Sequence, residues 1–181
     1  MTYRNVVSAV VRALAAETIS SAGGCDFEPK VQCAKQKGEI VGKEAMFLQD
    51  CWVFGRLHKA LTPAHWRALV AKYSTHVERK HAAISELTRS VRSPAPSRFV
   101  HCAVVTWALP MLPGVDGKRS TNVLPAGWYE MDNWSDEPHP IKTQERWRRD
   151  IRKVLNREVD EALVCAQTLL DTEDLIDTQA A

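Results

Sequence analysis

The chain has 181 residues and a formal net charge of +2, with 45% apolar and 25% charged residues. This is typical of a soluble globular protein, folded as one domain or as one domain with a small appendage. The five cysteines are odd in number and contain no Cys-x-x-Cys pair, which argues against a secreted disulfide framework. The longest apolar run, residues 99–109, is too short to span a bilayer. We therefore expect a cytoplasmic protein without a membrane partner, a metal or another cofactor.

The total charge conceals an uneven distribution along the chain. Residues 158–181 contain seven acidic residues and no Lys or Arg, so this tail carries −7 and residues 1–157 carry +9. The positive charge is densest in residues 141–157, where seven Lys/Arg stand against two acids, Glu145 and Asp150. A basic helix followed by an acidic tail is more typical of a protein that binds nucleic acid or a polymerase than of one that binds a metabolite.

Hydrophobic periodicity predicts a mostly α-helical chain. Apolar residues at helical spacing predict a first helix at residues 2–21 and a second at residues 42–61. A third helix is expected to begin at Thr62 and Pro63, because Thr is a good N-cap and Pro is tolerated at the first helical position. A fourth helix is expected at residues 75–91. The second helix is expected to bury six apolar side chains: Met46, Phe47, Trp52, Val53, Leu57 and Leu61.

The second half of the chain alternates apolar and irregular segments. Two prolines in residues 93–97 end the fourth helix. Residues 99–109 suit either a buried strand or a short buried helix, and we favour a helix because the rest of the chain offers no sheet partner. Residues 110–140 form a long connection, and the last helix is expected at residues 143–170. Most of the six tryptophans are expected to join the helices in one core: Trp52, Trp66, Trp107, Trp128, Trp134 and Trp147.

The last two predicted helices follow the order of a helix-turn-helix unit with a long insertion. A short buried helix is followed, across residues 110–140, by a helix whose first turns are polar and basic. In a helix-turn-helix this second helix enters the major groove. We therefore expect a helical bundle with an N-terminal helical region, residues 1–97, and a helix-turn-helix-like region, residues 98–181, with an inserted loop and a long C-terminal helix. The two regions are expected to form one compact unit.

The polar and basic residues of the last helix are the candidate DNA contacts. Arg146 and Arg149 are candidates for bidentate contacts to guanine, and Gln144 for a contact to adenine. The other candidates in the helix are expected to bind phosphates or to add hydrogen bonds: Lys142, Thr143, Arg148, Arg152 and Lys153. Five residues are expected to project opposite the apolar stripe: Lys142, Arg149, Arg152, Lys153 and Asn156. Basic residues elsewhere extend the possible backbone footprint: Arg79, Lys80, Arg89, Arg92, Lys118 and Arg119. A charged face that is only solvated is the alternative.

No catalytic motif is recognisable, so we do not expect an enzyme. Two other functions stay open. One is a metal-dependent nuclease, suggested by an acidic cluster beside His139: Glu130, Asp132, Asp136 and Glu137. The alternative for that cluster is a solvated loop held in place by aromatic side chains. The other function is a protein-binding adaptor or inhibitor that uses the acidic tail and exposed tryptophans.

Five stretches in the last two-thirds of the chain carry a resemblance to a known family: LTPAHWRALVAKY at 61–73, VTWALP at 105–110, GVDGKRS at 114–120, WYEMD at 128–132 and RWRRDI at 146–151. In these stretches the chain resembles phage-type late-gene antitermination proteins of the Q type and the related AlpA-type activators of bacterial lysis genes. It lacks the cysteine spacing of the zinc-bearing members.

The resemblance implies a specific function. Such a protein binds a promoter-proximal element in double-stranded DNA and engages a paused bacterial RNA polymerase that still holds its sigma factor. It then stays near the RNA exit channel and promotes terminator read-through into phage or prophage late genes, including lysis genes.

Overall fold

The computed structural model of the protein describes residues 3–21, 43–111 and 124–176. They form six α-helices: α1 (Val6–Ser21), α2 (Lys43–Ala60), α3 (Pro63–Tyr73), α4 (Val77–Ser90), α5 (Ser97–Ala108) and α6 (Ile141–Thr172). Two short 3-10 helices, Ala126–Tyr129 and Met131–Trp134, precede α6. Apart from an isolated bridge between Tyr3 and Ile176, these residues contain no β-structure. The prediction of a mostly α-helical bundle is confirmed.

Local sequence signals set several helix boundaries. The Thr62 side chain accepts a hydrogen bond from the backbone N–H of His65 at 3.3 Å, and Pro63 opens α3, as predicted. Residues 99–109 lie almost entirely within α5, so the choice of a helix over a strand is confirmed. The last helix is two residues longer at each end than the predicted range 143–170.

Apolar side chains from all six helices form one continuous core. α5 is buried along nearly its whole length, with Phe99 and Val104 fully buried. α6 packs against α1, α3 and α5 and turns one stripe inward, at the spacing that an α-helix requires. The stripe consists of Trp147, Ile151, Leu155, Val159, Ala162, Ala166 and Leu170. The opposite face of α6 is therefore left to solvent.

The tryptophans contribute unequally to this core. Trp107, Trp134 and Trp147 are buried, and Trp66 and Trp128 pack against the core while partly exposed. Trp52 is 45% exposed, so the prediction that α2 buries it is wrong. The reason is geometric. α2 turns Val53 and Leu57 inward, and Trp52 lies about 100° away from Val53 on the helix. Met46 and Phe47 are only half-buried.

The two ends of the described chain meet beside α1 and α2. The backbone N–H of Tyr3 donates to the carbonyl oxygen of Leu175 at 2.7 Å, and Arg56 forms an ion pair with Glu173. The Tyr3 hydroxyl donates to Asp50 Oδ1 at 2.7 Å, and Arg12 donates to Asp50 Oδ2 at 3.0 Å. These bonds tie the ends of the chain to the middle of the bundle.

None of the helices within the described ranges combines the length and the apolar character that a membrane span requires.

Candidate nucleic-acid interface

The solvent-facing side of α6 carries four exposed cations, Lys142, Arg146, Arg149 and Lys153. Successive residues of an α-helix turn by about 100°, so these four share one face opposite the buried stripe. We call them the outer stripe. Among the ion pairs of the described residues, none involves a member of the outer stripe. Their charge is therefore available to a ligand.

An open groove of about 820 Å³ adjoins the outer stripe. One wall comes from α6 and another from Met131 in the second 3-10 helix. Its charged lining consists of five cations, Arg148, Arg149, Arg152, Lys153 and Arg157, against two carboxylates, Glu145 and Asp160. The groove is therefore positively charged.

Arg148 and Arg152 lie one turn apart on the flank of α6 and are half-buried. The Arg148 guanidinium carbon lies 5.8 Å from the ring centre of Trp134, and the Nη1 atom lies 3.8 Å from Met131 Sδ. The Nε atoms of both arginines are buried and have no hydrogen-bond partner in the part of the chain that the structure describes. Burial, and then the charge of Arg148, lowers the pKa of Arg152. The prediction that Arg152 projects from the exposed face is wrong, because its position on the helix turns it towards the bundle.

Gln144 does not reach the outer face of α6. Its side chain is only 4% exposed, and its Nε2 donates to the carbonyl oxygen of His139 at 3.1 Å. The prediction that it reads adenine is wrong for this arrangement, because a buried amide cannot meet a base edge. Thr143, another predicted contact, is half-buried.

Lys72 of α3 belongs to this region, although the sequence did not single it out. Its ammonium lies 4.8 Å from the ring centre of Trp107 and donates to the Trp107 carbonyl oxygen at 3.3 Å. The Trp107 indole Nε1 donates to Asn156 Oδ1 at 2.8 Å, and Asn156 lines the groove. Burial, and then the charge of Arg152, lowers the pKa of Lys72. No local pattern marks this lysine, because its place depends on how α3 and α5 pack on α6.

Four of the six basic residues predicted to extend the footprint are described, and none of these four lines the groove. Lys80 donates to the carbonyl oxygens of Lys72 at 3.4 Å and Ser74 at 3.2 Å, and so caps the C-terminal end of α3. Arg79 lines a separate cavity of about 380 Å³, and its guanidinium lies 5.9 Å from the ring centre of Phe54. Two more, Arg89 and Arg92, are exposed at the end of α4. Two others, Lys118 and Arg119, lie outside the described residues, together with the stretch 114–120.

The acidic loop before α6 is held by aromatic side chains. The Trp134 indole donates to the Trp128 carbonyl oxygen at 2.7 Å, and the Tyr129 hydroxyl donates to the carbonyl oxygen of Leu109 at 3.0 Å. Asp136 forms an ion pair with Arg98. These contacts favour the reading of a pinned loop over that of a metal site.

Within the described ranges, only one group of His, Cys, Asp or Glu brings its ligand atoms within 4.8 Å of one another, and it lies outside this loop. That group is His65, Glu158 and Glu161. Glu161 is shared by His65 at 3.6 Å and Arg157 at 3.7 Å, so ion pairing accounts for its geometry. The acids proposed for a nuclease are not gathered into a site.

α5 and α6 pack against each other through an aromatic contact, with the rings of Phe99 and Trp147 5.5 Å apart. The short buried helix α5, which precedes the basic helix α6 in the sequence, therefore also contacts it in the structure. The helix-turn-helix arrangement of the two stays a prediction.

No family model, no curated protein and no solved structure matches the chain.

Proposed function

We propose that the protein binds DNA through α6 and acts as a transcription antitermination factor. The observation that carries the DNA-binding proposal is the outer stripe, four exposed cations on one helix face without a carboxylate partner among the described residues. From Lys142 to Lys153 the stripe is about 16 Å long at 1.5 Å per residue. A helix of this kind fits the major groove of B-DNA, and unpaired cations contribute to affinity by releasing condensed counterions.

The members of the outer stripe differ in what they offer DNA. Arg146 and Arg149 present planar guanidinium groups that match the O6 and N7 acceptors of guanine. Lys142 and Lys153 are point charges at the two ends of the stripe and suit phosphate oxygens. In this arrangement the arginines distinguish between base sequences, and the lysines fix the position of the protein on the duplex.

Antitermination is the specific form of the proposal, and its support is the resemblance. Four of the five resembling stretches lie within the described residues, and each supplies a residue at the groove or beside it: Lys72, Trp107, Met131 and Arg148. The resembling stretches therefore converge on one place in the fold. The proposed partners are double-stranded DNA, RNA polymerase and its sigma factor.

DNA binding is tested by fluorescence anisotropy with duplexes from the region upstream of the neighbouring promoter. Arg146→Ala and Arg149→Ala are each expected to lose about 1–3 kcal/mol of specific binding free energy. Lys59→Ala removes an exposed charge at the end of α2 and is the matched control. If both arginine variants keep the full specific affinity, α6 is not the element that recognises the DNA sequence.

Antitermination is tested by in-vitro transcription through a terminator placed downstream of that promoter. The wild-type protein is expected to increase read-through only when the upstream element is present, and Arg149→Ala is expected to lose the effect. More transcript without read-through would indicate an initiation activator instead.

A protein-binding adaptor or inhibitor is the second candidate function. It is favoured by exposed apolar side chains on α2, Trp52 at 45% and Leu48 at 50%. A partner protein bound tightly by the wild type and lost in Trp52→Ala, with no affinity for any nucleic acid, would replace the DNA-binding proposal.

A further inference from the structure

Two arginines line the inner side of the groove, beside the outer stripe, and one lysine of α3 lies next to it. They are Arg148 and Arg152 on α6 and Lys72 on α3, and we call them the inner row. Arg148, Arg152 and Asn156 follow one another at intervals of one turn, so they share one flank of α6. Trp107 connects this flank to α3, since its indole donates to Asn156 while the Lys72 ammonium lies over its ring. Lys72 of α3 is thus linked through Trp107 to the flank of α6 that carries Arg148 and Arg152.

Within residues 3–21, 43–111 and 124–176, no carboxylate forms an ion pair with the inner row. Five other arginines of the described chain form ion pairs with carboxylates, including Arg157, which also lines the groove: Arg12, Arg56, Arg67, Arg98 and Arg157. No ion pair among the described residues involves Arg148, Arg152 or Lys72. Of the described carboxylates, only Glu145 and Asp160 line the groove, and both belong to exposed residues. Half-buried cations without a counter-charge are costly, so they are commonly explained by a ligand of opposite charge.

Burial and neighbouring positive charge both disfavour the charged forms of Lys72 and Arg152. Burial, and then the charge of Arg152, lowers the pKa of Lys72, and burial, and then the charge of Arg148, lowers the pKa of Arg152. The pKa of Lys80 is also lowered, first by burial and then by the charge of Lys72. Lys80 already donates to two carbonyl oxygens and has a structural role. The three members of the inner row make no such set of backbone bonds: Lys72 makes one, and the buried Nε atoms of the arginines make none.

We infer that the inner row binds one phosphate group, held by the guanidinium groups of Arg148 and Arg152 and the ammonium of Lys72. The guanidinium fork matches two oxygens of a tetrahedral oxyanion, and the ammonium adds a point charge. The inference rests on the proposed function in one respect, because the expected source of the phosphate is the backbone of bound DNA. Free phosphate is the other source of the same chemistry.

A phosphate at this position has a consequence for recognition. Phosphate contacts fix the position of a protein on the duplex, and base contacts then read the sequence. Because Arg148 and Arg152 lie on the same helix as the outer stripe, a phosphate at Arg152 would set where Arg146 and Arg149 meet the bases.

The first experiment measures thermal unfolding of the full chain by tryptophan fluorescence, in sodium phosphate and in sodium chloride at equal ionic strength. Phosphate is expected to raise the Tm of the wild type more than that of Arg152→Met or Lys72→Met. Met retains the apolar part of either side chain and removes the charge. Because phosphate also stabilises proteins without binding a site, the difference between wild type and variant is the quantity that decides. Lys59→Met and Arg4→Met remove exposed charges outside the groove and serve as controls. Equal phosphate shifts in the wild type, the inner-row variants and the controls would overturn the inference.

The second experiment measures binding of a 20-base-pair duplex, chosen to span about two helical turns, across a series of salt concentrations. If the phosphate comes from DNA, Arg152→Met weakens binding about equally for all sequences. It also reduces the slope of log affinity against log salt by about 0.9. If the inner-row variants lose the phosphate shift but bind the duplex as the wild type does, the site takes free phosphate.

The two proposals fail in different ways. If the wild type binds no duplex but keeps a phosphate shift that depends on Arg152, DNA binding is refuted and the phosphate site stands. If duplex binding depends on Arg149 while the inner-row variants change neither the phosphate shift nor the salt slope, DNA binding stands and the phosphate site is refuted.

Discussion

The α1–α2 side of the molecule and the groove beside α6 differ in whether their buried charged groups have partners. At α1–α2, the 8% exposed Asp50 accepts hydrogen bonds from the Tyr3 hydroxyl at 2.7 Å and from Arg12 at 3.0 Å. At the groove, Arg148 and Arg152 are half-buried, and their Nε atoms have no partner. The first network is complete within the chain. The second has no such partners among the described residues, as we expect of charges that bind a ligand.

This comparison predicts where substitutions should act. Removing a member of the Asp50 network should destabilise the fold and leave binding unchanged. Removing a member of the inner row should weaken binding and leave the fold as stable as before, or more stable. A stability loss at both places would break the comparison.

Asp50→Ala is expected to have the largest effect. It leaves the Tyr3 hydroxyl and the Arg12 guanidinium without their shared acceptor, and it should lower the free energy of unfolding by about 3 kcal/mol. The Arg12 side chain is 39% exposed, so most of the loss comes from the buried Tyr3 contact. Urea denaturation measures it. Asp150→Ala, at an exposed position of α6, is the control and should change stability by less than about 0.5 kcal/mol. Equal losses in the two variants would contradict the role given to Asp50.

Stability at alkaline pH gives a second test of the same network. Burial is the main cause that raises the pKa of Tyr3, and the hydrogen bond to Asp50 is the next. The unfolded chain releases the Tyr3 proton near pH 10 while the folded chain keeps it, so this contribution is complete below pH 10 and is lost as the pH rises further. Between about pH 8 and about pH 11, the wild type should lose about 1.4 kcal/mol more than Tyr3→Phe.

The comparison with Tyr3→Phe is needed because other groups titrate in the same range. Burial lowers the pKa values of Lys72 and Lys80, so their deprotonation at high pH favours the folded state and acts in the opposite direction. Both lysines are present in the wild type and in the variant, and their effect cancels in the difference. A pH-independent difference would show that Tyr3 ionises equally in the folded and unfolded chains.

The parts of this structure that sequence reasoning predicted depend on local signals. The start of α3 follows from Thr62 and Pro63, and the helical state of residues 99–109 follows from the absence of a strand partner. The burial of Gln144 also follows from a local signal, its spacing on the helix. It lies three residues before Trp147 and seven before Ile151, which places it on the buried stripe. The expected contact with adenine followed from its position near the start of the helix, whereas its burial follows from its position around the helix axis.

The inner row could not be predicted because it is a product of tertiary packing. Lys72 and Trp107 are 35 residues apart, and Trp107 and Asn156 are 49 apart. No spacing rule relates Lys72, Trp107 and Asn156, which lie on three different helices. Only the way in which α3 and α5 pack on α6 brings Lys72 next to the flank of Arg148 and Arg152.

Arg152→Met is expected to stabilise the fold by about 1 kcal/mol. The substitution keeps the apolar stem and removes a half-buried charge whose Nε has no partner and which lies close to Arg148 and Lys72. Thermal unfolding in chloride, without phosphate or nucleic acid, measures the change. Arg149→Met removes an exposed charge one helical turn from Lys153 and should leave stability unchanged within about 0.5 kcal/mol. A destabilised Arg152→Met protein would mean that the arginine completes the fold, and the contrast with Asp50 would fail.

Asn156→Asp should give the smallest and most selective change, because it supplies the missing counter-charge without altering the shape of the side chain. One carboxylate oxygen can still accept from the Trp107 indole, as Oδ1 does at 2.8 Å, and the new charge lies one turn from Arg152. Asn156 is exposed, so the gain in stability should be only about 0.5 kcal/mol. Phosphate and duplex binding should both weaken, since an internal anion now competes for the inner row. Gln167→Glu makes the same change in charge at an exposed position of α6 outside the groove, and it should alter neither binding measurement. If Asn156→Asp and Gln167→Glu weaken binding equally, the net charge of the protein and not the inner row governs affinity.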